Sequence, residues 1–401
     1  MSVELLSPAG NFEKLVSAVR FGCDAVYLSG ENFSLRAKSS NFRDDELENA
    51  LKYLHKNGKK GYVTVNIYAR NYDFEHLPAY LEYLEGIHAD GIIISDLGVL
   101  KLIRDMGIKT PVHISTQANT TNYMSVKFFE DLGVKRVILA RELSEKEVEF
   151  IVKNTSMDIE VFVHGAMCIS HSGRCVLSNY MTGRDSNRGE CTHPCRWNYY
   201  LVEETRPGEY LKIEEDERGS YIYNSKDLCL IDYLKNIIDM GVKSLKIEGR
   251  MKSSMYVSVV TGVYRKAIDE ILTYGEVKEI ERLRLLLNSV SNRSFTTGFF
   301  GGAVNEASMN YDTSSYVRLT DYLGLVEGTN ELGVVFTAKG KFSSDEKISI
   351  LNTDMTETEI ISSLVDFDGK NVDFTKPNSR YVLKIKDTHL TNPGAILRRY
   401  L

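Results

Sequence analysis

The sequence has no long hydrophobic run and no surplus of positive charge. Its 401 residues carry a formal net charge of −6, and 43% are hydrophobic and 26% charged, which is ordinary for a globular protein. No stretch reaches the roughly 18 consecutive apolar residues of a membrane span. The opening MSVELLSPAGNFEKL contains acidic residues and does not resemble a signal peptide. We therefore expect a cytoplasmic protein without membrane contact, in which RNA binding would need a local basic patch.

Cysteine is scarce and unevenly distributed. Only six cysteines occur, and Cys168, Cys175, Cys191 and Cys195 all lie within residues 164–197, HGAMCISHSGRCVLSNYMTGRDSNRGECTHPCRW. In the cytoplasm disulfides are uncommon, and clustered cysteines more often bind metal or take part in chemistry. The stretch therefore predicts a metal centre. Cys23 and Cys229, outside it, are expected to be core thiols.

The spacing of the four cysteines, C-x6-C-x15-C-x3-C, lacks the tight C-x2-C pairs of structural zinc sites. Loose spacing over a loop rich in Gly and Ser suits an iron–sulfur cluster, which needs thiolates from several directions. Nearby arginines would stabilise an anionic thiolate cluster. Spacing alone leaves zinc and iron–sulfur about equally supported.

Two nucleophilic interpretations compete with the metal centre. Cys168 could act as a nucleophile with His164 or His171, but four cysteines are more than that mechanism needs. A serine protease would use Ser170, His171 and Asp185, yet no G-x-S-x-G motif supports it. Both are less well supported than a metal centre.

A repeated pattern organises the first two-thirds of the chain. A helix-like stretch, a Gly and a few polar residues precede a short apolar run in which Val and Ile are common, as in DLGVKRVILA at 131–140. Such Gly residues suit helix C-termini, and runs that are apolar on both faces suit a parallel sheet covered by helices. With VELLSPAG at the start and DIEVFVHGA at 158–166, the count is eight strands. We predict an α/β fold, a (β/α)8 TIM-like barrel; a doubly wound sheet is the alternative, although no G-x-G-x-x-G follows the first strand.

The barrel is predicted to span residues 1–275, with the cysteine loop, the candidate metal centre, at 164–197 and a hairpin insertion near 198–224. Its last helix is expected at 253–275, and a further helix and a linker at 276–315. Short alternating runs then predict a small C-terminal antiparallel β-barrel domain at 316–401.

Polar residues follow the predicted strands where a core would not need them. Because active sites of such barrels lie at the C-terminal ends of the strands, these residues are expected to surround one mouth together with the cysteines. The set comprises Asn66, Asp96, Ser115, Gln117, Asn119, Arg141, His164, Glu248 and Arg250. Asp96 and Asn119 could instead cap the next helix.

Within this set, Arg250 is the best candidate for binding a carboxylate or phosphate, because a guanidinium matches that geometry. Gln117, Asn119 and Arg141 are further candidates for substrate binding, and His164 and Glu248 are candidates for catalysis. A structural ion pair between Glu248 and Arg250 is the alternative at this position.

Arginines and aromatic residues mix in the cysteine loop, as they do in proteins that bind single strands, although an ordinary packed loop would look the same. The residues are Arg174, Arg184, Arg188 and Arg196 with Tyr180, Trp197, Tyr199 and Tyr200.

Four segments together resemble the peptidase U32 family. They are EVFVHGAMCISHSGRCVLSNYMTGRDSNRGECTHPCRW, the opening LLSPAGNFEKLVSAVRFGCDAVYLSG, SLKIEGRMKSSMYV and NRSFTTGFFGG. The family name implies collagenase-like protease activity, but several members are associated with oxygen-independent hydroxylation of the wobble uridine of tRNA, ribosomal RNA or ubiquinone precursors. The length, the C-terminal β domain and the retained Cys195 resemble the branch that acts on tRNA.

The resemblance implies a 4Fe–4S cluster with Cys168, Cys175, Cys191 and Cys195 as its ligands. It also implies hydroxylation of the wobble uridine to 5-hydroxyuridine with prephenate as co-substrate. Expected partners are tRNA, a small molecule that bears carboxylates, and a related protein of the same family. A U32-type peptidase, or an accessory protein for the hydroxylation of ribosomal RNA or ubiquinone, is the alternative.

Overall fold

The structure is a computed structural model of the chain. It describes residues 3–34, 41–168, 170–197, 200–201, 211–212, 226–302, 317–385 and 391–401. No helix in these ranges is both long and apolar enough to cross a membrane.

Seven parallel strands come first along the chain, and each pairs with the next in sequence order. Their central residues are buried on both faces, as the apolar runs predict. The strands are β1 (Glu4–Pro8), β2 (Ala25–Leu28), β3 (Lys60–Val65), β4 (Gly91–Ile94), β5 (Val112–Ile114), β6 (Arg136–Ile138) and β7 (Asp158–Ala166).

Two short strands and one antiparallel strand separate β7 from the strand that closes the barrel. β8 (Tyr200–Leu201) and β9 (Leu211–Lys212) pair with each other antiparallel, and the rest of the hairpin predicted near 198–224 lies outside the described residues. β10 (Asp227–Cys229) pairs antiparallel with β7. β11 (Ser244–Ile247) then pairs parallel with both β7 and β1, which completes a closed barrel of eight parallel strands and confirms the predicted (β/α)8 fold.

Helices connect most of the barrel strands. They are α1 (Phe12–Arg20), α2 (Asp44–Lys56), α3 (Leu77–Gly86), α4 (Leu97–Met106), α5 (Tyr123–Asp131), α6 (Glu145–Lys153), α7 (Leu177–Thr182) and α8 (Leu234–Asp239). The side chain of Asp96 caps α4 by accepting hydrogen bonds from the backbone N–H groups of Gly98 and Val99, as expected. Asn122, and not Asn119, caps α5.

Charged side chains fill the N-terminal end of the barrel, which we call the floor: Glu4, His113, Arg136, Glu160 and Lys246. Arg136 Nη1 donates to Glu160 Oε2 at 3.0 Å and to Glu4 Oε1 at 2.5 Å, while Lys246 Nζ donates to Glu160 Oε1 at 2.8 Å. Burial alone would raise the pKa of Glu160, but Lys246 and Arg136 lower it to about 2. The floor therefore holds paired charges, and each of its carboxylates bonds a cation.

The C-terminal part of the chain begins with two helices, α9 (Ser254–Tyr274) and α10 (Ile280–Ser289), near the positions predicted for them. β12 (Phe295–Thr296) follows and pairs with β10 in the first part of the chain. Most of the linker predicted before residue 316 lies outside the described residues.

The last seven strands form a curled antiparallel sheet, a half-barrel with the order β16-β15-β19-β13-β14-β18-β17. Leu323, Phe336, Ile350 and Leu397 are among its buried core residues. The strands are β13 (Thr320–Asn330), β14 (Gly333–Ala338), β15 (Lys347–Leu351), β16 (Glu357–Ile361), β17 (Leu364–Val365), β18 (Arg380–Leu383) and β19 (Ile396–Tyr400).

The contacts divide the chain into two compact units. One comprises residues 1–15, 24–251 and 292–316, and the other comprises 16–23, 252–291 and 317–401. All the residues of the cavity described below belong to the first unit. The domain boundaries predicted at 275 and 315 stay a prediction.

Candidate functional site

A cavity of about 190 Å³ opens at the C-terminal end of the barrel. The strands β2, β3, β4, β6, β7 and β11, and the segment after β5, all contribute to its wall. The polar and charged residues in the wall include Tyr27, Thr64, Asn66, Ser115, Gln117, Arg141, Glu142, Ser172, His193, Lys246, Glu248 and Arg250.

All four cysteines of the loop after β7 line this one cavity, and none of them forms a disulfide. The backbone N–H of Leu177 donates to Cys175 Sγ at 3.4 Å, and that of His193 donates to Cys191 Sγ at 3.4 Å. Hydrogen bonds of this kind to sulfur adjust the properties of thiolate-bound clusters. The donor set therefore suits an iron–sulfur cluster in number and in chemistry.

The thiols are not already gathered around a point. Within the described ranges, no three His, Cys, Asp or Glu side chains form a group that could hold a metal ion. Burial raises the pKa of Cys168, and the neighbouring Cys175 and Cys191 raise it further, whereas a backbone hydrogen bond and Arg141 lower it. The residue keeps an exposed surface at the rim of the cavity. These thiols are close enough to influence one another, and a bound cation would favour their ionised form.

Three cations surround the cavity: Arg141, Lys246 and Arg250. Arg141 Nη1 donates to the backbone oxygen of Ala166 at 2.7 Å, and its guanidinium lies 3.8 Å from the ring centre of Phe162. Its Nε makes no hydrogen bond to any described residue. Lys246 already pairs with Glu160 in the floor, whereas Arg141 donates to a neutral backbone oxygen, so the wall around Arg141 suits an anionic ligand.

The backbone and side chain of Arg250 are both held in place. Lys14 Nζ donates to its backbone oxygen at 2.9 Å, and Arg250 Nη1 donates to Thr64 Oγ1 at 3.3 Å. Arg250 is only 4% exposed. A guanidinium held in one orientation at a cavity wall is prepared to bind a carboxylate in two-point geometry.

Glu248 lines the cavity beside Tyr27. The Tyr27 hydroxyl donates to Glu248 Oε2 at 3.0 Å and to the backbone oxygen of Ile247 at 3.1 Å. Burial and the nearby Glu248 raise the pKa of Tyr27 well above 10, so the phenol stays protonated and remains a donor. Glu248 is thus a carboxylate with a fixed orientation at the wall, which suits proton transfer.

His164 does not line the cavity, although its position near the end of β7 predicts that it would. Its ring lies 5.2 Å from that of Phe295. The register between β7 and β11 shifts between Phe162 and His164, so one extra residue bulges and the alternation of side chains is interrupted. The backbones are also unusually close here, since a Cβ on Gly165 would lie 2.4 Å from the backbone oxygen of Glu248. The catalytic role predicted for His164 stays a prediction.

Gln117 and Asn119 are only two residues apart but line different surfaces. Gln117 lines the cavity, and its side-chain oxygen accepts hydrogen bonds from Asn66 and Ser115. Asn119 adopts a left-handed conformation with φ of 55° and lines a second pocket. The turn that separates them is not evident from residue type.

Contacts between two loops hold the cysteine segment over the barrel. Arg188 donates two hydrogen bonds to the carboxylate of Asp73, at 2.8 and 2.9 Å, and lowers the pKa of Asp73. Arg174 Nε donates to the backbone oxygen of Gln117 at 2.9 Å, and its guanidinium lies 5.5 Å from the ring centre of Tyr68. Arg188 is therefore committed to a structural pair.

The serine protease interpretation and the RNA-binding interpretation of the cysteine loop can both be compared with this geometry. Asp185 accepts hydrogen bonds from the backbone of Asn187 and from Arg70, and neither Ser170 nor His171 lines the cavity. Of the loop aromatics, Tyr180 is 87% exposed and Trp197 is 45% exposed. Tyr199 and the side chains of Arg196 and Tyr200 lie outside the described residues.

Sequence reasoning missed several cavity residues, namely Tyr27, Thr64, Glu142, Phe162 and Ser172. Tyr27 and Thr64 are polar residues inside otherwise apolar strands, which is a signal that could have identified them. Glu142 accepts hydrogen bonds from the backbone N–H and the hydroxyl of Ser172, at 2.5 and 2.8 Å. That contact joins two loops and leaves no local sequence pattern.

The chain is similar to known proteins over nearly its whole length. The model of the family described as "Peptidase family U32" matches residues 10–310. The chain is 36% identical over 400 residues to "tRNA hydroxylation protein P1" of Bacillus subtilis, covering 99% of this chain and 94% of that protein. It is 36% identical over 390 residues to "tRNA hydroxylation protein P" of Escherichia coli, covering 87% and 86%. It is also 33% identical over 336 residues to a "Collagenase" of Porphyromonas gingivalis, covering 80% and 79%. The chain therefore belongs to peptidase family U32.

Proposed function

We propose that this protein hydroxylates the wobble uridine of tRNA to 5-hydroxyuridine without molecular oxygen, with prephenate as co-substrate and a 4Fe–4S cluster as cofactor. The observation that carries the proposal is that all four cysteines line the same cavity as three cations. The similarity to two proteins named for tRNA hydroxylation supports the choice of substrate.

Cys168, Cys175, Cys191 and Cys195 would hold the cluster. Backbone N–H groups two residues further along the chain already donate to two of the sulfur atoms. When bound, such a cluster transfers electrons one at a time. Arg141, whose charge favours the ionised form of the Cys168 thiol, would partly balance the negative charge of the thiolates.

The co-substrate would bind through its two carboxylates. Arg250 and Arg141 come from two different parts of the cavity wall, so two carboxylates on one small molecule can each meet a guanidinium. The N–H groups of the Gln117 amide make no hydrogen bond to a described residue, so they are available to a ligand. Glu248, which Tyr27 holds in one orientation, would be the carboxylate of the wall that accepts a proton.

Exposed aromatic and basic residues around the cavity support single-stranded RNA as the partner. Tyr180 lies three residues after the cavity residue Leu177, and Trp197 lies two residues after Cys195. Arg184, in the same loop, is exposed and makes no hydrogen bond or ion pair to a described residue. Unpaired bases stack on aromatic rings, and free cations bind the phosphate backbone. An enzyme that acts on a base must first move that base out of its stack with neighbouring bases.

Anaerobic purification, followed by iron and sulfide analysis and a visible spectrum, tests the cofactor. We expect about four iron and four sulfide per chain. A colourless protein with one zinc and no sulfide would contradict the cluster.

Nucleoside mass spectrometry of tRNA from a deletion strain tests the reaction. We expect 5-hydroxyuridine derivatives to disappear, to return with the wild-type gene, and to stay absent with Cys175→Ala. Cys229→Ala is the matched control, because Cys229 does not line the cavity. Unchanged nucleosides, in a strain without a related gene, would contradict the proposed substrate.

A further inference from the structure

A second pocket, of about 340 Å³, lies at the same end of the barrel as the cavity, between the beginning of α4 and α5. Its lining has no charged side chain, in contrast to the cavity. The lining residues are Leu97, Ala118, Asn119, Thr120, Met124, Ser125, Phe128 and Phe129.

The outer part of this pocket is apolar and open. Leu97 is 58% exposed, Met124 is 60% exposed and Phe128 is 52% exposed. A cluster of large apolar side chains at a surface commonly marks a binding site.

The inner part of the pocket is polar and unsatisfied. Thr120 is only 1% exposed, and its hydroxyl makes no hydrogen bond to any described residue. The side-chain oxygen of Asn119 is likewise buried without a partner in the described part of the chain. Buried polar atoms are nearly always hydrogen-bonded to protein, water or ligand, so a ligand in this pocket has two atoms for which it can supply the missing partner.

The geometry points to a nucleobase as this ligand: the base of a nucleotide adjacent to the modified uridine. A base offers flat apolar faces to Leu97, Met124 and Phe128, and its edge offers donors and acceptors to Thr120 and Asn119. The absence of charged residues from the lining disfavours a phosphate or a carboxylate.

The position of the pocket fits an adjacent nucleotide. Gln117 lines the cavity and Asn119 lines the pocket, and two residues of chain span at most about 7 Å. Two neighbouring bases that are splayed apart could therefore enter the cavity and the pocket together. This inference rests on the proposed function, since it requires that the cavity receive a base of an RNA.

A double-mutant cycle between protein and RNA tests the inference. Fluorescence anisotropy would measure the Kd of the holoprotein for an anticodon stem-loop RNA and for the same RNA with an abasic nucleotide on either side of the target uridine. We expect one of the two abasic substitutions to weaken binding to the wild-type protein about 10-fold. The same substitution should have almost no effect on Phe128→Ser or Thr120→Val, which already lack the contact.

Phe150→Ser is the matched control, because Phe150 is 56% exposed on α6 but lies outside the pocket. It should keep the full 10-fold loss. Phe128 is at the surface, so Phe128→Ser keeps the test valid if the buried Thr120→Val variant folds poorly. If, at both flanking positions, the abasic substitution weakened binding as much in every folded pocket variant as in the wild-type protein, the subsite alone would be overturned. A wild-type protein that does not bind the unmodified stem-loop would overturn the proposed RNA substrate and the subsite together.

Discussion

The two ends of the barrel contain similar charged groups arranged in opposite ways. At the floor, the guanidinium of Arg136 bonds two carboxylates, Glu4 and Glu160. At the mouth, the bonds described for Arg141 and Arg250 go instead to a backbone oxygen and a hydroxyl. The paired charges of the floor serve stability, and the arginines of the mouth fit the anionic ligand that we propose.

Glu160→Gln should give the largest effect, because it leaves Lys246 and Arg136 buried beside a neutral amide. We expect the free energy of unfolding to fall by about 3–5 kcal/mol, measured by urea denaturation. The control Glu48→Gln removes an exposed pair with Lys52 and should cost less than about 1 kcal/mol. Equal losses in both variants would mean that the floor charges have no special structural role.

Cys191→Ala should show the reverse pattern at the mouth. We expect modification of tRNA to fall at least about 100-fold, because a proposed cluster ligand is lost. The unfolding free energy of the metal-free protein should change by less than about 1 kcal/mol, since Cys191 is only partly buried. If this variant modified tRNA normally, the proposed difference between a structural floor and a functional mouth of the barrel would be contradicted.

The pH dependence of stability sharpens the description of the floor. Burial, with Arg136, lowers the pKa of His113 from 6.5 to about 3, so the unfolded chain binds a proton between these values that the folded protein does not. Stability contributed by neutral His113 is therefore present above pH 6.5 and is lost as the pH falls. We expect the unfolding free energy to drop by about 2 kcal/mol between pH 7.5 and 5, and His113→Phe to remove most of this slope. An identical slope in the variant would contradict the assignment.

Arg250→Lys should give the smallest effect of the four. Lysine keeps the charge but loses the planar fork, so we expect the KM for the carboxylate co-substrate to rise about 10-fold while the unfolding free energy barely changes. Steady-state kinetics against co-substrate concentration would measure this. A comparable change in kcat alone would place Arg250 in the chemical step rather than in binding.

The barrel could be predicted from the sequence because a local run of apolar residues marks each strand. The run DIEVFVHGA predicts a strand at 158–166, and β7 spans those residues. Gly107 and Gly133 terminate their helices with positive φ, as the repeat predicts. Before β4, His88 takes the positive φ, with a value of 60°, and Gly91 begins the strand instead of ending the helix.

The site could be predicted only in part, because contacts between distant residues decide the rest. A single extra residue in β7 separates His164 from the cavity, and no pattern in EVFVHGA reveals a bulge. A turn at Asn119 directs that residue to the second pocket. The clamp between Arg188 and Asp73 joins residues 115 positions apart. Residue type and spacing predict where strands end, but they do not predict a bulge, a turn or an ion pair between distant residues.

The packed floor also affects how ligands reach and leave the cavity. Glu160 is fully buried, and the buried side chains of His113, Arg136 and Lys246 surround it, so side chains fill the floor of the barrel. The cavity opens at the C-terminal end of the barrel, so the proposed co-substrate and its product would share that opening. We expect the product of the proposed reaction to compete with the co-substrate for the cavity.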